Sequence, residues 1–146
     1  MPELRVCVCL IFHFHLKTVL YQSAFLMNEQ DLSDFPVIDN ATLAELRRLM
    51  AGGFPDLVKT LLRDLPLQLA AIQDAIRQGD AEALYRAAHK LKSGSGSMGA
   101  LRLSELARQL EMWGRHRQLT GLTPLLEQFQ ATAEQTQRDF QALLDT

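Results

Sequence analysis

The stretch AAHKLKSGSGSMGALR, from Ala87 to Arg102, carries the strongest signal in the sequence. It starts with good helix formers, yet three glycines and three serines follow in its middle. A glycine inside a helix costs about 1 kcal/mol relative to alanine. The glycines destabilise the helix beside His89, Lys90 and Lys92. We therefore expect small residues at this surface to have a function.

Length and composition set the broad class of the protein. The chain has 146 residues, of which 47% are hydrophobic and 22% charged, with a net charge of −2. These values are typical of one soluble domain, and the absence of a basic excess argues against a nucleic-acid partner. Leu, Ala, Gln, Arg and Glu are abundant, and β-branched runs are missing after about Ile38, which favours an all-α fold.

The first 30 residues differ from the rest of the chain. Their apolar run from Val6 to Phe12 is too short to span a bilayer, which needs about 20 apolar residues. Glu3 offsets Arg5, and QSAFLM is a poor cleavage site for a signal peptide. We predict that residues 1–30 are an extension, with Met27 as the natural start, upstream of a domain at residues 36–145. An additional packed helix or strand, and a membrane anchor or leader, are the alternatives.

The cysteines lie only in this first segment. With Cys7 and Cys9 as the sole pair there is no disulfide framework, so we expect a reducing, cytoplasmic location. Cys7 and Cys9, followed by His13 and His15, do not match the usual spacing of a zinc site. Alternation of this kind also arises from one face of a strand, and no metal site is predicted.

Helical periodicity begins after Pro36. Asp39 or Asn40 can cap a short helix that runs through Met50 and is stopped by the pair Gly52-Gly53. One face of this helix carries three apolar residues: Leu43, Leu46 and Met50.

A longer second helix is predicted from about Pro55 to Gln78. Pro66 lies inside it and should bend or split it. Gly79 is suited to end this helix and Asp80 to cap the next one. The apolar stripe of the second helix consists of Leu57, Leu61, Leu65, Leu69, Ile72 and Ile76.

Three further helices follow, at about Ala81–Met98, Leu101–Arg115 and Pro124–Leu144. Because connections of a few residues make neighbouring helices antiparallel, the sequence predicts an up-and-down four-helix bundle with a short leading helix packed on it. The inner residues of the last two helices are Leu103, Leu106, Leu110 and Trp113, and then Leu125, Phe129, Thr136, Phe140 and Leu143.

The helical wheel places His89 on the outside of its helix. At about 100° per residue, the buried stripe falls within about 40° of one direction, and His89 lies about 140° from the centre of that stripe. A buried core histidine is therefore disfavoured. The stripe consists of Leu84, Ala88, Leu91, Ser95 and Met98.

The residues around His89 indicate chemistry at an exposed face. Ser93, Gly96 and Ala100 project little, so another backbone can approach the imidazole closely. Lys92 lies one turn further on and can swing its ammonium group to a group on the imidazole, while Lys90 and Arg86 add positive potential. An exposed imidazole beside cations suits a nucleophile that receives an anionic group.

The motif HKLKSGSGSMGA resembles the signature of histidine-containing phosphotransfer (HPt) domains, with similarity extending over about Val37 to Leu144. The segments VIDNATLAELRRLMAGG and GDAEALYRAAHKLK also resemble that family, and the four-helix bundle predicted independently is the family's fold. One position departs from the family pattern, because Ser93 stands where a glycine is usual. The matching positions are His89, Leu91, Lys92, Ser95, Met98, Gly99 and Ala100.

The resemblance implies a relay protein of two-component signalling. His89 would take a phosphoryl group from the aspartate of one receiver domain and pass it to another, and Lys92 would stabilise that group. Receiver domains of response regulators and of hybrid sensor histidine kinases are the implied partners, and the receiver would supply Mg²⁺, so this chain needs no cofactor of its own. Docking on the receiver would involve Tyr85, Arg86, Lys90, Ser93, Gly96 and Ala100.

Two residues of the facing helix have open roles. Gln109 and Glu111 are candidates to hydrogen-bond the imidazole, or equally solvated surface residues. No Gly-rich phosphate loop follows a strand, so no ATP site and no kinase activity are predicted, and whether a phosphate carrier counts as an enzyme is left open. We expect a monomer that binds neither nucleic acid nor membrane.

Two alternative functions for the same bundle assign different roles to His89. In the first, a helical adaptor binds a receiver or kinase without carrying phosphate, so replacing His89 would not matter. In the second, GSGSMG is only a kink or a close helix-packing site in a structural domain, which would bury the face of His89. The wheel position argues against the second reading.

Overall fold

The computed structural model describes residues 32–146. The predictions for Cys7, Cys9, His13, His15 and the start at Met27 lie outside the described residues. The chain divides into two compact units, Met1–Asp34 and Phe35–Thr146. The second unit holds His89 and every other residue of the candidate site.

Five α-helices build the second unit, and its residues form no strand. A short 3₁₀ turn, Ala51–Gly53, separates the first two helices. In chain order the helices are α1 Asn40–Met50, α2 Phe54–Gln78, α3 Ala81–Ser97, α4 Leu101–Arg115 and α5 Thr123–Leu144. Each of α2 to α5 packs on the next helix and α5 returns to α2, which confirms the up-and-down four-helix bundle with a leading helix.

The helix caps form where the polar residues predict them. The Asp39 carboxylate accepts a hydrogen bond from the Thr42 amide at 3.0 Å, so Asp39 rather than Asn40 caps α1. The Asp80 carboxylate accepts from the Ala83 amide at 2.9 Å and caps α3. Gly79 ends α2 at a φ of 69°, a left-handed conformation that glycine adopts without strain.

The core is apolar and lies between all four long helices. Each large side chain removed from water contributes roughly 1.5–3 kcal/mol before conformational entropy is subtracted. The predicted stripes of α3 and α4 are buried in full. The largest fully buried side chains are Phe140, Leu65, Ile72, Leu84, Leu91, Leu103, Leu106, Leu110 and Val58.

The apolar stripe of α2 differs from the prediction. It is buried at Phe54, Val58, Leu65, Ile72 and Ala75. The other predicted positions, Leu57, Leu61, Leu69 and Ile76, are only half-buried. Because α2 packs against α3 on one side and α5 on the other, residues at the two margins of its inner face are covered only in part.

Two details of the first helices differ from the simplest reading of the sequence. Pro66 does not split α2, which is one continuous helix from Phe54 to Gln78. Pro66 lies on the exposed side, where water can hydrate the carbonyl oxygen left without its intrahelical donor. On the apolar face of α1, Leu43 is buried and Leu46 is half-buried, whereas Met50, the last residue of the helix, is 43% exposed.

The turn between α3 and α4 anchors the start of α1. Gly99 has a φ of 79°, and its carbonyl oxygen accepts a hydrogen bond from the Asp39 amide at 2.8 Å. A Cβ atom on Gly99 would lie 3.1 Å from Thr42 Cβ and 3.2 Å from the Asp39 carbonyl oxygen. Both the backbone conformation and the close approach therefore require glycine at this position.

Candidate functional site

His89 lies in the middle of α3 with its side chain 54% exposed. The five residues of the predicted stripe are all buried on the other side of the helix. The reading in which GSGSMG packs against a neighbour and buries the face of His89 therefore does not hold.

Glu111 of α4 lies directly beside the imidazole. His89 Nδ1 is 2.7 Å from Glu111 Oε1, and Lys92 Nζ donates to Glu111 Oε2 at 2.6 Å. One carboxylate thus binds both the imidazole and the ammonium group that follows it by one turn of α3. The structure brings together the two residues that the sequence singled out and one of its two supporting candidates.

The charge state of Glu111 follows from its surroundings. Burial opposes ionisation, but hydrogen bonds from Lys92 and His89 outweigh it, and the pKa of the Glu111 carboxyl lies below its ordinary value of 4.5. At neutral pH the group is a carboxylate and can only accept hydrogen bonds. Nδ1 of His89 therefore carries the proton that it shares with Oε1.

This hydrogen bond determines which nitrogen of the imidazole can react. In a neutral imidazole with a proton on Nδ1, the lone pair is on Nε2. Among the described residues, Nε2 has no hydrogen-bond partner, and the side chain is exposed. The geometry thus presents a nucleophilic nitrogen to solvent and holds the other nitrogen on a carboxylate.

Tyr85 lies one turn before His89 on α3, and its ring stacks on the imidazole. The ring centroids are 6.1 Å apart and the planes differ by 24°. Arg115, at the end of α4, places its guanidinium carbon 5.5 Å from the centroid of the Tyr85 ring, within the range of a cation–π contact. Tyr85, predicted to dock a partner, thus lies beside the candidate nucleophile, within the distance range of an aromatic pair.

The remaining polar residues predicted for docking are exposed on α3. Arg86 is exposed and pairs with Glu82 at 3.3 Å, an arrangement of little energetic consequence at a surface. Lys90 is exposed and lines a groove between α2 and α3, with Leu67 and Ala71 among the other lining residues. Ser93 is exposed, and its hydroxyl donates to the His89 carbonyl oxygen at 3.1 Å.

The prediction that Ala100 belongs to the docking face is wrong. Ala100 is fully buried, because α3 ends at Ser97 and the chain reverses at Gly99. The helical wheel of α3 does not extend across that turn. Gly96 is half-buried, and a Cβ atom there would lie 3.1 Å from Ser104 Oγ, so its missing side chain makes room for α4.

Gln109 and Glu111 are both buried, at 5% exposure each, so neither is a solvated surface residue. The amide nitrogen of Gln109 lies 3.5 Å from Glu105 Oε1, at the limit of a hydrogen bond. Glu105 also binds the Arg108 guanidinium at 2.6 Å. Of the two candidates, it is Glu111 that bonds the imidazole.

Sequence reasoning missed Gly114 and Arg115. A Cβ atom on Gly114 would lie 2.6 Å from the backbone nitrogen of Tyr85, so glycine alone permits this helix crossing. The signal was present as a single glycine inside a strong helical pattern, which indicates a close packing contact. Arg115 could not be assigned from the sequence, since its contact depends on how α3 and α4 cross.

The described residues contain neither a cluster of metal ligands nor a membrane-spanning helix. Among residues 32–146 there is no group of three or more His, Cys, Asp or Glu side chains placed to hold a metal ion. Within the same residues, no helix is long and apolar enough to cross a membrane.

Comparisons with known proteins agree with the geometry. A family model described as "Hpt domain" matches residues 56–144. The crystal structure of histidine-containing phosphotransfer protein B (HptB) from Pseudomonas aeruginosa PAO1 is similar, with a TM-score of 0.72 and 31% identity over 75% of this chain and 96% of that chain. No curated protein matches the chain significantly. The family model covers more than half of the chain, and the chain therefore belongs to the Hpt domain family.

Proposed function

We propose that the protein carries phosphoryl groups between receiver domains of a two-component phosphorelay, with His89 as the phosphate acceptor. The observation that carries this proposal is the exposed imidazole whose Nδ1 is bound to a buried carboxylate, 2.7 Å away. Membership of the Hpt domain family supports it. The similarity to HptB, whose name describes a histidine-containing phosphotransfer protein, points the same way.

In the proposed step, the lone pair on Nε2 attacks the phosphorus atom of an aspartyl phosphate on a receiver domain. A bond between nitrogen and phosphorus forms as the bond from phosphorus to the aspartate oxygen breaks, and the aspartate leaves as a carboxylate. Nδ1 keeps its proton, so the imidazole becomes positively charged. Transfer to a second receiver reverses these changes and restores the neutral imidazole.

Glu111 and Lys92 stabilise opposite charges in this step. The Glu111 carboxylate lies against the edge of the imidazole that becomes positive, and a fixed charge at that point needs no rearrangement during the reaction. Lys92 is 30% exposed and has three N–H donors, of which one binds Glu111. It can keep that contact and donate a second hydrogen bond to a phosphoryl oxygen.

Response regulators and hybrid sensor histidine kinases, through their receiver domains, are the proposed partners. The receiver domain supplies the Mg²⁺ that this chemistry uses. We further propose that the protein acts as a cytoplasmic monomer and that the exposed side of α3 around His89 is where a receiver docks. Lys92, which shares the Glu111 carboxylate with His89, is the cation that we expect to contact the incoming phosphoryl group.

The experiment is transfer from a purified, phosphorylated receiver domain to the wild-type protein and to His89→Gln. We expect phosphate on the wild type alone, in a form that is lost in acid and survives alkali, as a phosphoramidate should be. His89 is exposed, and glutamine can still donate a hydrogen bond to Glu111, so the variant should keep the circular dichroism of the wild type. Phosphate on His89→Gln would refute the assignment of the site. Equal binding of receivers without transfer to either protein would support the adaptor reading instead.

A further inference from the structure

Four side chains form a two-by-two arrangement across the α3–α4 contact. On α3, Tyr85 and His89 are four residues apart, so they lie on the same side of the helix one above the other. On α4, Glu111 and Arg115 have the same spacing. Because the helices are antiparallel, Glu111 meets His89 and Arg115 meets Tyr85.

The backbone holds this arrangement at one point. Gly114 lies so close to α3 that a Cβ atom there would be 2.9 Å from both Tyr85 Cα and the Ala81 carbonyl oxygen. The main chain of Tyr85 is therefore packed directly against the last turn of α4. Arg115, the next residue, is placed over the Tyr85 ring as a result.

Two contacts bear on the orientation of the His89 imidazole, namely a hydrogen bond and a ring pair. Nδ1 of the imidazole is held by a hydrogen bond to Glu111 at 2.7 Å. Because this is a single contact, the ring can still turn about it. The Tyr85 ring lies beside the imidazole, with centroids 6.1 Å apart and planes 24° apart, where it can oppose rotation out of that plane. The first contact sets the position of Nδ1, and the second bears on the direction of Nε2.

We propose that Tyr85, held in place by Arg115, is a positioning residue that fixes the plane of the His89 imidazole and thereby the direction of its reactive Nε2. This inference rests on the proposed phosphotransfer function and extends it. It gives Tyr85 a role within the protein itself, in addition to any contact with a partner. Arg115 acts through Tyr85 and is not assigned a contact with phosphate.

The test measures transfer from a phosphorylated receiver domain in single turnovers over a range of receiver concentrations. For Tyr85→Ala we expect the maximal rate to fall about 5- to 10-fold, because a misdirected nucleophile loses reactive geometry, with little change in the half-saturating concentration. Tyr85→Phe keeps the ring and should stay near the wild-type rate. Arg115→Ala should lower the maximal rate by a smaller factor, and it remains informative if Tyr85→Ala proves unstable.

The imidazole is also observed directly, by nitrogen NMR of the unphosphorylated protein. In the wild type we expect the proton to be on Nδ1 in a hydrogen bond to Glu111. In Tyr85→Ala we expect the same tautomer, but faster exchange of the Nδ1 proton with water, because the ring can turn about that hydrogen bond. Arg138→Ala is the matched control for Arg115→Ala, because it also removes one positive charge, here from α5. It should change neither the transfer kinetics nor the NMR signals. A raised half-saturating concentration with an unchanged maximal rate and unchanged exchange of the Nδ1 proton would overturn the proposal and make Tyr85 a docking residue. If the wild type accepts no phosphate, the proposed function fails, whereas the NMR comparison still decides on positioning.

Discussion

At the scale of single residues, Glu111 connects the two residues that the sequence identified. His89 and Lys92 lie three positions apart on one helix, so their proximity follows from the sequence alone. The carboxylate that binds both comes from α4, and its side chain is buried. A buried charge is retained only where partners compensate for its lost hydration, and here two hydrogen bonds do so.

The contribution of Glu111 to stability depends on pH. Because the pKa of the folded state lies below 4.5, the carboxylate contributes stability above pH 4.5, and this is lost as the pH falls through the folded-state value. The titratable groups facing it are the imidazole of His89 and the cations of Lys92, Arg108 and Arg115. We expect Glu111→Gln to be about 1–2 kcal/mol less stable than the wild type at pH 7, with the difference shrinking towards pH 3.

Chemical denaturation at the two pH values measures this difference in the free energy of unfolding. Glu127→Gln, an exposed carboxylate on α5, is the control and should change stability by less than about 0.5 kcal/mol at either pH. A penalty for Glu111→Gln that is the same at both pH values would mean that shape, and not charge, accounts for the effect.

At the scale of helices, the small residues of the central motif serve different purposes. Gly94 has no atom within 4 Å of where its Cβ would be, so nothing in this protein prevents a side chain there. Gly96 makes room for Ser104, and Gly99 provides the left-handed turn that binds the start of α1. The sequence indicated that small residues keep the helix surface low beside His89. It could not show that two of the three glycines serve contacts with other elements, since those contacts come from distant parts of the chain.

Two glycine substitutions separate these purposes. Gly99→Ala should lower the free energy of unfolding by about 1–3 kcal/mol, because alanine is strained at a φ of 79° and its Cβ would crowd Thr42. Gly94→Ala lies in an open helical position and should raise stability by up to about 1 kcal/mol. Thermal and chemical denaturation of the two variants, compared with the wild type, gives both values. Equal effects of the two substitutions would rule out a special role for the turn at Gly99.

At the scale of the whole molecule, the four-helix bundle can be predicted from the sequence, but the contacts between its helices cannot. Short connections and helical periodicity are local features, so the order and bounds of α2 to α5 follow from them within one residue. The exposure of His89 also follows, because it depends only on the geometry of its own helix. Ala100 was misplaced because a wheel cannot show where a helix ends, and Arg115 was missed because the α3–α4 crossing is not encoded locally.

The distribution of charge gives a prediction for the whole molecule. The chain has a net charge of −2, yet Lys90 and Lys92 lie close to His89 in the sequence of α3, and Arg115 of α4 lies over the ring of Tyr85. A basic face on an acidic protein should attract a phosphorylated, anionic receiver surface and orient it. We expect an increase from about 0.1 M NaCl, where the Debye length is about 10 Å, to about 1 M, where it is about 3 Å, to raise the half-saturating receiver concentration several-fold. The maximal transfer rate should change little.

Charge reversal on the two sides of the bundle tests whether this face is responsible. Lys90→Glu should raise the half-saturating concentration at about 0.1 M NaCl and weaken its dependence on salt. Arg138→Glu makes the same change in net charge on α5, which packs on α2 and α4, and should leave both values near those of the wild type. Equal effects of the two reversals would show that total charge, and not the face around His89, governs the encounter. A salt effect confined to the maximal rate would place the electrostatic contribution in the transfer step, at Lys92 and Glu111.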